Sequence, residues 1–129
     1  MPKYEFSCQV EPEYLPEPSD PQSGVYLFSY TITITNTGQV AAQLIARHWI
    51  IEDMLGHVEE VNGLGVVGQQ PLLRPGESFQ YTSGAPLRTA TGTMRGHYFC
   101  VAEDGTRFEA EIPLFVLDSG AGTPGRVLH

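Results

Sequence analysis

The chain has 129 residues, 41% of them hydrophobic, and this length fits one domain. Fifteen acidic residues against seven basic ones give a formal net charge of −8, which predicts repulsion of phosphate polymers and therefore no nucleic-acid partner. No stretch approaches the roughly 20 apolar residues of a membrane-spanning helix, and the first ten residues lack a secretory pattern, so we expect a soluble, cytoplasmic protein with no membrane partner.

Two alternating runs near the start of the chain predict half-buried β-strands. In "YEFSCQV" every second residue from Tyr4 to Val10 is apolar, and "VYLFSYTITITN" alternates in the same way with threonines on the other face. The segment between them, "PEYLPEPSDPQSG", contains four prolines. Proline cannot donate a ladder hydrogen bond, so we expect an extended, exposed connection there.

The middle of the chain alternates turn signals with strand-like runs. "NTGQ" at 36–39 predicts a tight turn, and the run 40–53 is long enough for a strand with a bulge. "VEEVNG" predicts a short, exposed edge strand. The Pro75-Gly76 turn then leads into a strand in which Phe79 and Tyr81 alternate with polar residues.

The last apolar runs predict a hairpin and complete the fold class. Its arms run from about 91 to 102 and through Phe108, Ala110 and Ile112, with Asp104-Gly105 at the turn. No stretch shows helical spacing over three turns. We therefore predict an all-β fold, an antiparallel β-sandwich of about seven strands of the fibronectin type III or immunoglobulin-like kind. It would be a single domain over 1–129, with its core at about 4–117 and a flexible tail at about 118–129.

A short motif in the last hairpin resembles a feature of immunoglobulin-like domains. Gly96, Tyr98 and Cys100 have the G-x-Y-x-C spacing in which a tyrosine hydroxyl closes the corner before a strand, and Trp49 lies upstream where a core tryptophan is found. Cys8 lies on the first strand and not the second, so the inter-sheet disulfide is not implied. We expect two buried thiols.

The stretch "VNGLGVVGQQP" contains Gly63, Gly65 and Gly68 in the G-x-G-x-x-G spacing of a dinucleotide-binding turn. That function requires a helix directly after the glycines, because the helix N-terminus holds the pyrophosphate. Pro71 and Pro75 prevent such a helix. The glycines therefore indicate a backbone with positive φ or close approach in a long connection, and we expect no cofactor.

A weaker anion site beside the glycines stays open. The charged residues between 61 and 102 are Arg74, Arg88 and Arg95 against Glu77 alone. Loop amides next to arginines can bind a phosphate or carboxylate. The three glycines and three arginines are thus candidate residues for a small anion such as pyrophosphate. The alternative is that these arginines are solvated or paired with acidic neighbours.

No residue pattern indicates catalysis or a metal centre. The four histidines are scattered, and His48 beside a tryptophan is expected to be structural. His57 with Glu59 and Glu60 could hold a divalent ion weakly, although an exposed polar edge strand explains the three residues equally. Ser83 lacks the G-x-S-x-G elbow of a nucleophile. We expect no catalytic residues, no metal ligands and no enzymatic activity.

Three stretches carry a family resemblance: "RHWIIED", "VNGLGVVGQQPLLRPGESFQYTSG" and "GTMRGHYFCVAEDGTRFEAEIPLFVL". Together they resemble the ApaG family of small bacterial proteins, from about residue 4 to 117. The resemblance implies a fibronectin type III-like sandwich and a link to cobalt and magnesium tolerance, without agreed catalytic residues. It also implies a gene that often neighbours that of a diadenosine tetraphosphate hydrolase, and a similar domain in certain F-box proteins and in a polymerase-interacting protein.

These observations favour a non-enzymatic module that binds a protein partner. Sandwich domains present loops and edge strands to partners, and the related domain occurs as an appendage in larger proteins. The candidate contact surfaces are the glycine loop with its arginines and an edge strand. The alternative function is binding of a phosphate-containing anion or of a divalent cation connected with cobalt and magnesium homeostasis.

Overall fold

The computed structural model describes residues 2–120, which fold into two antiparallel β-sheets packed face to face. The strands in chain order are β1 (Phe6–Tyr14), β2 (Tyr26–Asn36), β3 (Ala42–Asp53), β4 (Val58–Leu64), β5 (Leu72–Leu73), β6 (Ser78–Leu87), β7 (Thr91–Ala102) and β8 (Arg107–Asp118). One three-residue 3-10 turn, Pro21–Ser23, precedes β2. Within residues 2–120 no helix is long and apolar enough to cross a bilayer.

The strands divide into one sheet of three and one of five. The first sheet has the order β1-β2-β6, and the second has the order β4-β3-β7-β8, with the short β5 also paired to β3. Every pairing is antiparallel. The predicted all-β antiparallel sandwich is therefore confirmed. The described residues contain eight strands instead of about seven because the connection after the glycines contributes the two-residue β5.

Alternation along the strands places the core between the sheets. In β2 the inward set from Phe28 to Ile34 is buried, and the outward threonines bond to β6, as Thr31 does to Thr82 at 2.8 Å. Strand β7 buries every second residue in the same way. Trp49 of β3 is buried against the ring of Tyr30, with the two ring centroids 5.3 Å apart.

The predicted tyrosine corner is not formed. Tyr98 lies in the middle of β7, and its hydroxyl is 2.5 Å from the hydroxyl of Tyr81, which belongs to the other sheet. Both rings point into the core from facing sheets, so each hydroxyl satisfies the other. Desolvation raises the pKa of both phenols, so they stay protonated and the pair acts as a neutral hydrogen bond between the layers.

Two strand ends differ from the sequence-based expectation. Strand β1 continues through Pro12 to Tyr14 instead of ending before the proline-rich segment. This is allowed because β1 is the edge of its sheet, where a missing donor disrupts no second ladder. Strand β8 continues to Asp118, where we expected a tail, and the Ser119 amide donates to the Ala90 carbonyl at 2.9 Å. The rest of the predicted tail, 121–129, lies outside the described residues.

The bulge expected within 40–53 is confirmed. The pairing of β3 with β7 shifts register between Leu44 and Ala46, so Ile45 is the extra residue. The carbonyl of Ile45 is left free to accept hydrogen bonds from the loop after β4: from the Gly65 amide at 2.7 Å and from the Gln70 side chain at 2.9 Å. The bulge therefore fixes the position of the glycine-rich segment.

Candidate functional site

The glycine turn, residues 63–69, is a tight reversal at the end of β4. The amides of Val66 and Gln69 donate to each other's carbonyls at 2.8 and 2.9 Å, which closes a two-residue loop. The loop residues Val67 and Gly68 have φ of +43° and +80°. No helix follows, since the next element is β5. The expectation that these glycines shape the backbone, and do not open a nucleotide-binding helix, agrees with this geometry.

Close approach explains two of the three glycines. Gly65 has φ of +64°, and a Cβ there would overlap the carbonyl oxygen of Gln69. Gly63 pairs with Arg47 of β3, and a Cβ there would lie 2.7 Å from the guanidinium carbon. The first glycine of the motif thus makes room for an arginine, and the second allows the chain to fold back on itself.

Arg47 is the arginine that contacts the glycine turn. Its Nη1 donates to the carbonyl oxygens of Leu64 at 3.0 Å and Gly65 at 2.9 Å. The amides of Gly65, Val66 and Gln69 already donate to backbone carbonyls. The carbonyl oxygens of the turn therefore bind the guanidinium of Arg47. The predicted anion site would instead require backbone amides that are free to bind an anion.

The three arginines of the predicted anion site do not share one location. Arg74 is exposed just after β5, and Arg88 follows β6, so the two lie beyond opposite ends of β6. Arg95 is exposed on β7 opposite Ile50. Nη2 of Arg88 is 3.9 Å from Oδ2 of Asp53, which is the acidic pairing considered as an alternative.

The histidines and carboxylates that the structure describes do not form a metal centre. Within residues 2–120 no group of three or more His, Cys, Asp or Glu side chains could hold a metal ion. His57 and Glu59 face a pocket beside the end of β6. Glu60 instead has its carboxylate 3.8 Å from Nε2 of His48, whose ring stacks on His97 with 6.4 Å between centroids. His48 therefore lies in a cross-strand stack of side chains, as a structural residue would.

Both cysteine thiols are free, as expected, and Cys100 is buried, whereas Cys8 is only partly buried. Burial raises the pKa of Cys8 and of Cys100 to about 12. A thiol with such a pKa holds almost no thiolate at neutral pH and is a poor nucleophile or metal ligand. These two residues contribute packing to the core rather than chemistry.

The turn and the β5 strand that follows it display apolar side chains that the sequence reasoning missed. Leu64, Val67 and Leu72 are 74%, 55% and 60% exposed, while Val66 between them is fully buried and anchors the turn. A β-branched residue with positive φ is a conformational outlier. The sequence contains one indication of this strained valine. A two-residue hairpin loop favours Asn-Gly, whereas this chain has Val67-Gly68 at the tip.

Known proteins resemble the chain over most of its length. A family model described as the ApaG domain matches residues 16–102. A protein named Protein ApaG from Acidovorax sp. is 65% identical, covering 100% of both chains, and one of the same name from Ralstonia nicotianae is 63% identical, covering 91% of this chain and 94% of its own. A crystal structure of a Bordetella pertussis protein described as ApaA superposes with a TM-score of 0.91 at 55% identity, covering 94% of this chain and 98% of that one.

Proposed function

The chain belongs to the ApaG family, and from that premise we propose that it is a non-enzymatic module that binds a protein partner through the glycine turn. The observation that carries this proposal is the exposed valine at the tip of the turn, held with positive φ. Strained backbone at an exposed position persists only where the surroundings impose it, and such strain concentrates at functional sites.

The composition around the tip supports a protein contact. Residues 64–73 contain no charged side chain in a chain whose net charge is −8. The centres of protein interfaces are depleted of charge, and exposed apolar groups that cluster on a surface mark interaction sites. Leu64, Val67 and Leu72 offer such groups within nine residues of chain.

The residues that hold the glycine turn in a fixed conformation strengthen the proposal. Val66 is buried in the core beneath the turn, and the Gln43 side chain donates to the Gln70 carbonyl at 2.9 Å. Arg47 donates hydrogen bonds to the carbonyls of Leu64 and Gly65, which precede Val66. A contact surface that is ordered before binding loses less conformational entropy when a partner docks, so a small apolar patch can contribute more affinity.

The absence of an enzymatic role is part of the proposal. The raised pKa of both thiols speaks against a cysteine nucleophile. The names of the relatives denote no reaction. We also propose a cytoplasmic location, because free thiols fit a reducing compartment.

Affinity capture from the native host with matched variants tests the proposal. Leu64→Ser changes an exposed leucine of the turn, Leu72→Ser changes one on β5, which follows the turn, and Leu114→Ser changes one that is 56% exposed on β8. We expect one stoichiometric partner that the wild type and Leu114→Ser retain and that Leu64→Ser and Leu72→Ser bind more weakly, with all four proteins melting alike. Equal capture by all four would refute the assignment of the glycine turn.

The alternative function, binding of pyrophosphate or of a divalent cation, has less support. The turn amides of Gly65, Val66 and Gln69 are engaged, and the candidate arginines are dispersed. Titration of pyrophosphate against amide chemical shifts addresses the anion, and melting curves with cobalt and magnesium address the cation. Saturable shifts around Gly63 and Arg74, or a saturable rise in melting temperature, would favour the alternative over the module.

A further inference from the structure

A small pocket lies at the opposite end of β4 from the glycine turn. Its volume is about 260 Å³, and it is bounded by β3, β4 and the end of β6. The walls include the apolar residues Val25, Ile51 and Leu87, and the polar lining includes Asp53, Glu59 and Arg88. We call this cavity the carboxylate pocket. Pockets for drug-sized ligands run from roughly 300 to 1,000 Å³, so this one suits a single long side chain.

The carboxylate of Asp53 has one oxygen fully bonded and one that is not. Oδ1 accepts from the amides of Leu55 at 2.9 Å and His57 at 3.0 Å, which fixes the turn between β3 and β4. Oδ2 has Arg88 as its charged neighbour, 3.9 Å away and beyond hydrogen-bond distance. The Asp53 side chain is only 5% exposed. Asp53 lines the pocket, and its Oδ2 keeps the capacity to accept a hydrogen bond, so a cation that enters the pocket can bond to it.

Arg88 neutralises the carboxylate of Asp53 only in part. Its side chain is 68% exposed, and an exposed ion pair at this separation contributes little. The guanidinium can leave the pocket at small cost and make way for another positive group. The position of Arg88 thus indicates that the pocket attracts a positive charge, although the mostly exposed Arg88 side chain does not fill the pocket.

The remaining lining matches the shape of a basic side chain. Glu59 adds a second carboxylate, while Ile51 and Leu87 offer apolar walls to a hydrocarbon stem. Lysine and arginine bury their methylene chains against apolar surface and keep the charged end at a polar group. The net charge of −8 favours approach of a positively charged partner.

We propose that the carboxylate pocket receives a lysine or arginine side chain of a basic protein partner. The cation would bond to Oδ2 of Asp53 and approach Glu59, and Arg88 would move aside. This inference rests on the function proposed above, since it supplies a second contact for the same kind of partner. The occupant is a side chain because the cavity is small and because both carboxylates lie beside apolar walls.

Chemical-shift titration of the full chain with a blocked lysine tests the pocket directly. The probe is Nα-acetyl-lysine methylamide, and its neutral control is Nα-acetyl-norleucine methylamide, which has the same hydrocarbon stem. We expect saturable shifts at Val25, at the Asp53–His57 turn and at Arg88 with the lysine probe and not with norleucine.

Variants of the lining sharpen the test without disturbing the turn that Asp53 holds. Arg88→Gln removes the competing cation and should tighten lysine binding roughly 2- to 5-fold, the range of an exposed ion pair. Glu59→Gln should weaken binding by a similar factor. Arg95→Gln, a control on the exposed face of β7, should change nothing. Equal responses to lysine and norleucine, or weaker lysine binding by Arg88→Gln, would overturn the proposal.

Failure of this inference is separable from failure of the proposed function. If the wild type captures a partner through the glycine turn and the pocket does not respond to the lysine probe, the pocket is refuted and the interaction module stands. If the pocket binds lysine and no partner is captured, the module is refuted, while the preference of the pocket for cations stands.

Discussion

Replacing Val67 by asparagine should stabilise the fold and weaken partner binding. Val67 has φ of +43° and is followed by Gly68 at +80°, so both loop residues have positive φ. A left-handed backbone costs an ordinary L-residue about 1–2 kcal/mol, and a β-branched side chain is the least suited to it. Asparagine tolerates this conformation, and Asn-Gly is the preferred pair in two-residue hairpin loops.

The expected gain in the free energy of unfolding is the backbone strain that is relieved minus the contribution of the valine burial that is lost. Complete burial of a valine is worth about 1.5 kcal/mol or somewhat more. Val67 is 55% exposed, so the side chain contributes about 0.7 kcal/mol by burial. The net stabilisation of Val67→Asn is therefore about 0.3–1.3 kcal/mol. For a domain of this size, that corresponds to a rise in melting temperature of about 1–5 °C.

Thermal and urea unfolding of the variant measure this gain. The matched control is Val67→Thr, which keeps the β-branch and the strain while it replaces one methyl group by a hydroxyl group. We expect a higher melting temperature for Val67→Asn alone, and weaker partner capture for both variants. An asparagine variant that melts at or below the wild type, or a threonine variant that gains as much, would refute the strain argument.

Three further predictions concern the core and one exposed carboxylate. Tyr98→Phe should cost about 1–3 kcal/mol in urea unfolding because the hydroxyl of Tyr81 loses its partner, whereas the double change to Phe at both positions should cost less than the two single changes added together. Gly96→Ala should destabilise by about 1–3 kcal/mol or more by the same assay, since its Cβ would overlap a carbonyl oxygen of β3. Hydrogen bonds from Tyr4 and from a backbone amide lower the pKa of Asp104 to about 2, so this carboxylate favours the folded state above its unfolded pKa near 4 and loses that contribution as the pH falls toward 2. Carboxyl NMR titration should show a higher pKa in Tyr4→Phe, and an unchanged pKa would contradict that cause.

The fold could be predicted because its signal is local. The threonine-isoleucine alternation of β2 fixes which face is buried, and the Asp104-Gly105 pair fixes the last turn without knowledge of any distant residue. The glycine turn could be separated from a nucleotide site for the same reason, since the prolines that follow it are visible in the sequence.

The partners across strands could not be predicted because they depend on register. Arg47 and Gly63 are neighbours only because β3 and β4 pair with Ala46 opposite Leu64, and no local pattern specifies that alignment. A shift of one residue would turn the arginine to the other face of the sheet. The sequence therefore indicated three arginines as candidates by their proximity along the chain and missed the one that contacts the turn.

The same strand connects the two candidate contact sites. Strand β4 has the carboxylate pocket beside its first residues and the glycine turn at its last, and its seven residues span roughly 20 Å. A standard protein interface covers about 800 Å² on each side, enough for one partner to reach both ends of this edge strand. The two sites are too far apart for direct contact, so their contributions should be independent. In the capture assay, the double variant Leu64→Ser/Glu59→Gln should therefore lower the affinity for a single shared partner. The factor should be the product of the factors measured for the two single variants. Capture of the partner by Glu59→Gln at the wild-type level would instead mean that only the turn is occupied.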